Sequence, residues 1–187
     1  MKDDEIRSWF SSHEAKYSLH GEIELLRWKK PASVIYSITY LRRNGTLFVD
    51  GDLGAATYKW GQCVDLEWIS QCNLDYFANK CLAREGRHYI RQAYDYDAYE
   101  AIEDIERIIK EHAKEAEECG KPSKPYVINY DDFGSEYELS KWGEQNGYEI
   151  LGDAWYEYEI GKIIAISVRA HLLGIKMAME YLRKTSI

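Results

Sequence analysis

Ile6, Trp9 and Phe10 recur at helical spacing and predict a short amphipathic helix over residues 3–14. The period then changes to two. Tyr17, Leu19, Gly21, Ile23 and Leu25 alternate with Ser18, His20, Glu22 and Glu24, the pattern of one half-buried strand. Pro31 and Ala32 interrupt it, and residues 34–41 read as a second strand with Tyr36, Ile38 and Tyr40 on one face. Asn44-Gly45 is a two-residue hairpin signal, because both positions tolerate positive φ. Residues 46–49 follow as a third strand, Asp50-Gly51 and Gly54 turn the chain, and residues 55–60 make a fourth.

Residues 66–84 read as helix, in two pieces broken at Asn73, with Gly86 as the stop. Asp95 or Asp97 caps a long helix that runs to Cys119 with Gly120 past its end. Its apolar stripe is Ala98, Ile102, Ile105, Ile109 and Ala116. Pro122 and Pro125 enforce a break before a short strand over 126–130. Ser135 with Glu138 is a capping box that opens a helix holding Leu139 and Trp142 and stopping at Gly147. Val168, Leu172, Ile175, Met179 and Leu182 define a basic amphipathic C-terminal helix. Together these predict an α+β fold, with a small antiparallel sheet of about four strands and helices packed on one face. Residues 1–92 hold the sheet. Residues 93–187 form a mainly helical, acidic region expected to pack on it as one compact unit.

Charge divides the chain the same way. Residues 1–92 carry 13 Lys/Arg against 12 Asp/Glu, residues 93–160 carry 6 against 19, and residues 161–187 carry 5 against 1. Nine of the 16 tyrosines fall within 93–160. A net charge of −8 repels nucleic-acid phosphates and anionic membranes, so neither is expected as a direct partner. The basic doublets Lys29-Lys30 and Arg42-Arg43 read as solubilising charges near strand ends. The opening Met1-Lys2-Asp3-Asp4-Glu5 lacks the apolar core of a signal peptide, and no apolar stretch approaches a membrane span. A cytoplasmic protein with reduced thiols is expected.

Catalytic and metal chemistry find little footing. Cys63, Cys72 and Cys81 are nine residues apart, and on one continuous helix Cys72 and Cys81 would face opposite ways. No metal or other cofactor is expected. His13, His20, His88, His112 and His171 neighbour no recognisable nucleophile. Asp50-Gly51-Asp52-Leu53-Gly54 lacks the further ligands of a calcium loop and the Lys-Ser/Thr of a P-loop, and reads as a turn. A small-ligand or nucleotide pocket between sheet and helices is the alternative reading, lined by Asp50, Asp52, Tyr58, Trp60, Tyr76, Lys80 and Arg84.

The stronger signal is tyrosine interleaved with carboxylates: Tyr94-Asp95-Tyr96-Asp97-Ala98-Tyr99-Glu100, then Tyr130-Asp131-Asp132-Phe133, then Glu136-Tyr137-Glu138. Tyrosine supplies contact area at low entropic cost, and carboxylates fit Lys/Arg grooves that otherwise hold phosphate. The partner-binding candidates are Tyr94, Asp95, Tyr96, Asp97, Tyr99, Glu100, Glu103, Asp131, Asp132, Glu136 and Glu138. A helix over 95–119 carries ten acids against Arg107, Lys110 and Lys114, an anionic rod on the length scale of duplex DNA. Glu103–Arg107 and Glu106–Lys110 would be ordinary i,i+4 pairs, so the same acids also suit plain helix stabilisation.

Tyr36-Ser37-Ile38-Thr39-Tyr40, the run from Gly45 through Gly51-Asp52-Leu53-Gly54 to Trp60, and Cys72-Asn73-Leu74-Asp75-Tyr76-Phe77-Ala78-Asn79-Lys80-Cys81 resemble small accessory proteins of bacteriophage and prophage genomes. The resemblance covers residues 5–90 and carries no catalytic residues with it. It implies a host-takeover or anti-defence factor acting in the bacterial cytoplasm. With the acidic segment, the expectation is a non-enzymatic, DNA-mimicking inhibitor of a host nucleic-acid-handling defence system, anti-CRISPR-like, whose partner offers a basic groove. A homodimer burying the aromatic patch against itself is a third reading.

Overall fold

The computed structural model describes residues 2–85, 93–119, 129, 133–151, 155 and 158–185. After helix α1 (Asp3–Trp9), strands β1 (Glu14–His20), β2 (Ile23–Lys29), β3 (Ile38–Arg43), β4 (Thr46–Gly51), β5 (Ala56–Lys59) and β6 (Cys81–Arg84) form one antiparallel sheet in chain order. The α+β class is as expected, but the sheet has six strands where about four were expected.

The two added strands have identifiable origins. Residues 17–25 are not one strand, because Gly21 turns the chain at φ +60° and His20 pairs with Ile23. A two-residue turn preserves apolar alternation along the chain yet reverses which face it addresses. Glu24, Leu26 and Trp28 therefore face the core, while Ile23 and Leu25 face away. The predicted helix over 66–84 is α2 (Leu66–Ile69), α3 (Leu74–Ala78) and then the edge strand β6. Asp65 and Asn73 cap the two helices through the amides of Trp68 at 2.7 Å and Tyr76 at 2.8 Å.

The second predicted strand starts late. Ala32 and Tyr36 adopt positive φ, and Tyr36 leaves the sheet to stack on Trp9 with ring centroids 4.8 Å apart. The Asn44-Gly45 hairpin forms as predicted, both residues at positive φ.

Two compact units divide the chain: residues 1–94 with 164–187, and residues 95–163. The C-terminal helix thus belongs with the sheet. The chain passes out and back through a two-stranded ladder of β7 (Tyr94–Tyr96) and β8 (Lys162–Ile164). In the second unit α4 (Ala98–Glu118) packs Ala101, Ile105 and Ile108 with Phe133, Trp142, Leu151 and Ile160. Ala98, Ile102 and Ile109 sit half-buried at its rim. The side chain of Ala116, the turns at Gly86 and Gly120, the breaks at Pro122 and Pro125 and the strand predicted over 126–130 lie outside the described residues. Ser135 caps α5 (Glu136–Trp142) as expected, without the reciprocal Glu138 bond to its amide that a full capping box would add, and a π-helical turn over Gly143–Gly147 leads into α6 (Tyr148–Leu151). Trp155 lies against Gly143 and Gly147, where a Cβ would collide with its ring.

In the first unit α7 (Ile166–Thr185) lies along one sheet face, with Val168, Leu172 and Ile175 buried and Met179 and Leu182 half-buried. Its closest approach is at Gly174, where an added Cβ would run into the Tyr40 hydroxyl and come within 2.9 Å of Ile38 Cδ1. Tyr40 cannot retreat, since its hydroxyl donates to the His171 carbonyl at 2.9 Å and its side chain is fully buried. Among the described residues no helix is long and apolar enough to cross a membrane.

Glu24 and His171 are buried polar groups in this core. Glu24 pairs with Arg42 and accepts from the Tyr17 hydroxyl at 3.0 Å and the Leu66 amide at 3.2 Å. Burial, then Glu24, pushes the Tyr17 phenol up to about 12. Arg42 is therefore a core residue and not the solubilising charge expected from its doublet. His171 places Nδ1 2.8 Å from the Tyr58 hydroxyl, and its Nε2 faces the Leu53 and Gly54 backbone without closing a well-formed hydrogen bond. Burial outweighs those backbone carbonyls and holds its pKa at about 4, so the folded protein keeps it neutral.

Gly174→Ala should cost about 1–3 kcal/mol through overpacking, seen as a lower urea midpoint at unchanged slope. His171 should make stability pH-dependent. Its folded pKa lies below the unfolded value near 6.5, so its contribution is complete above pH ~6.5 and lost as pH falls toward about 4. The loss from this group should be roughly 3 kcal/mol, and urea titrations at pH 7.5, 5.5 and 4.5 should show a shallower decline for His171→Gln.

Candidate functional site

The acidic surface is organised by the start of α4. Asp97 is its N-cap: Oδ1 accepts from the amides of Tyr99 at 2.9 Å and Glu100 at 3.0 Å, and its own amide donates to the Gly161 carbonyl at 2.8 Å. Tyr96 points inward and donates its hydroxyl to the Phe133 carbonyl at 2.7 Å. Burial pushes its phenol up to about 12, helped by the carboxylates of Glu138, Asp97 and Glu136. The Tyr96–Phe133 hydrogen bond ties the residue just before the α4 cap to the segment that leads into α5.

The predicted residues thus divide by role. Tyr94 lies in the sheet unit, half-buried, donating to Asn79 Oδ1 at 3.1 Å. Asp95, Tyr96 and Asp97 are half-buried, with Tyr96 and Asp97 committed to local structure. Tyr99, Glu100 and Glu103 are exposed on α4, and Tyr99 and Glu103 share a face at i,i+4 spacing. Glu136 and Glu138 are exposed on α5, where the Glu138 amide donates to the capping Ser135 hydroxyl at 3.2 Å and its carboxylate accepts from that hydroxyl at 3.0 Å. Asp131 and Asp132 lie outside the described residues.

Sequence reasoning passed over Tyr137 as a contact residue. Its side chain is 79% exposed, almost as open as Tyr99 at 82%. The available signal was its place opposite Leu139 and Trp142, which face inward on the same helix.

Partial neutralisation of α4 is uneven. Arg107 pairs with Asp104 at 3.0 Å and Glu111 at 3.5 Å, and not with Glu103 as expected. Lys110 pairs with Glu106 at 3.5 Å as expected, and Lys114 with Glu118 at 3.8 Å. Asp104 also accepts the Gly161 amide at 3.0 Å. Glu100, Glu103, Glu115 and Glu117 make no ion pair among the described residues. Exposed pairs of this kind contribute about 0–1 kcal/mol each, so they tie up charge more than they build the fold. The unit over residues 95–163 holds 7 Lys/Arg against 19 Asp/Glu, a net of −12, while the sheet unit holds 17 against 13, a net of +4.

The residues of the alternative pocket sit in different surroundings. Tyr58 and Trp60 are core residues packed on Phe77, with Tyr58 4.3 Å from it between ring centroids. Asp50 lies on the opposite sheet face, paired across from Thr39. Asp52 Oδ2 accepts the Tyr36 amide at 2.7 Å. Tyr76 and Lys80 form a surface cation–π contact at 4.6 Å, and Arg84 donates to Ser167 at 3.2 Å. The cysteines are equally separate. Cys63 is exposed and accepts from Arg42, Cys72 is buried, and burial pushes half-buried Cys81 up to about 11. Cys72 and Cys81 share no helix, since Cys72 precedes α3 and Cys81 opens β6.

Removing the cap and removing a surface acid should differ. Asp97→Ala should destabilise the protein by about 1 kcal/mol, whereas Glu103→Ala should stay within about 0.5 kcal/mol of the parent, both read from urea unfolding. Comparison with protein-family models, curated proteins and solved structures gave no match to this chain.

Proposed function

We propose that the protein is a non-enzymatic binding factor whose acidic unit occupies a basic, nucleic-acid-binding groove on another protein. The observation that carries this reading is that the first turns of α4 and α5 carry exposed carboxylates and two of the most exposed aromatic side chains, Tyr99 and Tyr137. Helix α4 has 21 residues, a length of about 31 Å at 1.5 Å per residue. Over that length carboxylates meet Lys/Arg side chains spaced for phosphates, and the two tyrosines add contact area that phosphates lack. Three of the strongly shifted groups, His171, Tyr40 and Tyr58, are sealed in the core, out of reach of a substrate. The likeness of residues 5–90 to phage accessory proteins supports a host-defence partner such as a CRISPR effector.

Immobilised full-length protein should retain partners from bacterial lysate that a 30-bp duplex DNA competitor elutes. A Glu100→Lys/Glu103→Lys/Tyr99→Ala variant should bind at least about tenfold more weakly, with a shallower salt dependence. Asp97 is left intact because it caps α4. Retention that ignores both the duplex and the triple substitution would falsify the proposal.

A further inference from the structure

The sheet has a second face, which α7 does not cover. Register places Ser18, Leu25, Leu41, Phe48 and Thr57 in one row across β1 to β5. Leu41 and Phe48 are 36% and 47% exposed, and Leu25 is half-buried between its neighbours. Two residues along the strands on one side lie Lys16 and Arg27, with Asp50 at the β4 end of the same row, and on the other lie Arg43 and Lys59. The neighbouring rows run about 7 Å from the apolar row. Lys29 extends the set, against Glu14 and Asp50 as the acids on this face. Lys16, Arg27, Lys29 and Arg43 make no ion pair among the described residues. Unpaired edge charges on a sheet discourage aggregation, but Arg27 and Arg43 lie on the interior strands β2 and β3.

We infer that this face is a docking surface for an amphipathic helix of an anionic partner protein, its apolar stripe on Leu25, Leu41 and Phe48 and its flanking carboxylates on the two cationic rows. The pattern selects the occupant. Cations on both sides of an apolar row match an element with anions on both flanks of an apolar stripe, which is an acidic amphipathic helix. A single-stranded nucleic acid carries its phosphates along one edge and needs successive stacking platforms, and Phe48 is the one aromatic in the row. A second copy docking face to face would set like charges against each other. Helix α4 offers carboxylates, but its apolar stripe is already buried in its own unit. Four interstrand steps make the row about 19 Å long, the length of a helix of roughly 13 residues.

The test uses full-length protein and a fluorescein-labelled, helix-stapled 14-residue peptide with leucines at i, i+3, i+4 and i+7 flanked by glutamates. A peptide of the same composition with dispersed leucines and a labelled 15-nucleotide oligothymidylate serve as comparators, all read by fluorescence anisotropy. The amphipathic peptide should bind at least about tenfold more tightly than the dispersed one, and more weakly as salt rises. Phe48→Ser and, separately, Lys16→Glu/Arg27→Glu should each weaken it about tenfold at unchanged circular dichroism, while Glu100→Lys/Glu103→Lys leaves it intact. Equal binding of the two peptides overturns the inference. So does tighter binding of the oligonucleotide, or self-association by light scattering that Phe48→Ser abolishes. Because the acidic-surface variant is an internal control, failure here is distinguishable from failure of the proposed function.

Discussion

The approach of α7 to the sheet at Gly174 governs the first unit. Without a Cβ there, the helix backbone comes close enough for the Tyr40 hydroxyl to reach the His171 carbonyl, and Trp28, Tyr40 and Tyr58 fill the space on β2, β3 and β5. A bulkier residue would lift the helix off three large aromatic side chains at once. Because α7 follows residues 95–163 in the chain, this face is completed only after they have been made. The acidic unit is thus an insertion between the sheet and its own covering helix.

Buried polar groups then fix the register. Glu24 draws hydrogen bonds from β1 through Tyr17, from β3 through Arg42 and from α2 through the Leu66 amide. Burying such a pair is costly, and its net contribution to stability is small. A one-residue slip of β2 would carry Glu24 to the open face and leave Arg42 buried without its carboxylate. The pair therefore penalises the misregistered sheet more than it strengthens the native one. His171 acts in the same direction, since its neutral ring meets the Tyr58 hydroxyl only when α7 is in place.

What the sequence disclosed followed the range of the interaction. The Asn44-Gly45 hairpin, the helix break at Asn73, a cap at Asp95 or Asp97, the Ser135 cap and the 4-3-4-3 stripe of α7 depend on residues a few positions apart, and all were legible. The Gly21 hairpin was not, because a two-residue turn leaves the alternation continuous while flipping its face. That error assigned Leu25 to the core and hid the apolar row on the open face. Strand β6 was read as helix because Cys81-Leu82-Ala83-Arg84 has no periodicity, and pairing with β5 decides its state. At the acidic surface, residue types were readable but not their duties. Asp97 and Glu100 look alike in sequence, yet one holds the helix start and the other faces solvent.

The two open surfaces answer one physical problem in opposite signs. Charge alone reaches far but is screened within about 8 Å at physiological salt, so an interface built only of carboxylates or lysines orients a partner without holding it. Apolar contact holds but does not steer. Tyr99 and Tyr137 supply the short-range component beside Glu100, Glu103, Glu136 and Glu138, and Leu41 and Phe48 supply it beside Lys16, Arg27, Arg43 and Lys59. An exposed aromatic set among charges of one sign leaves apolar area in water that a complementary partner would cover. Its occurrence in both units, with the sign reversed between them, is accounted for by two distinct binding surfaces more economically than by solubility, which would be served by mixed charges without the aromatics.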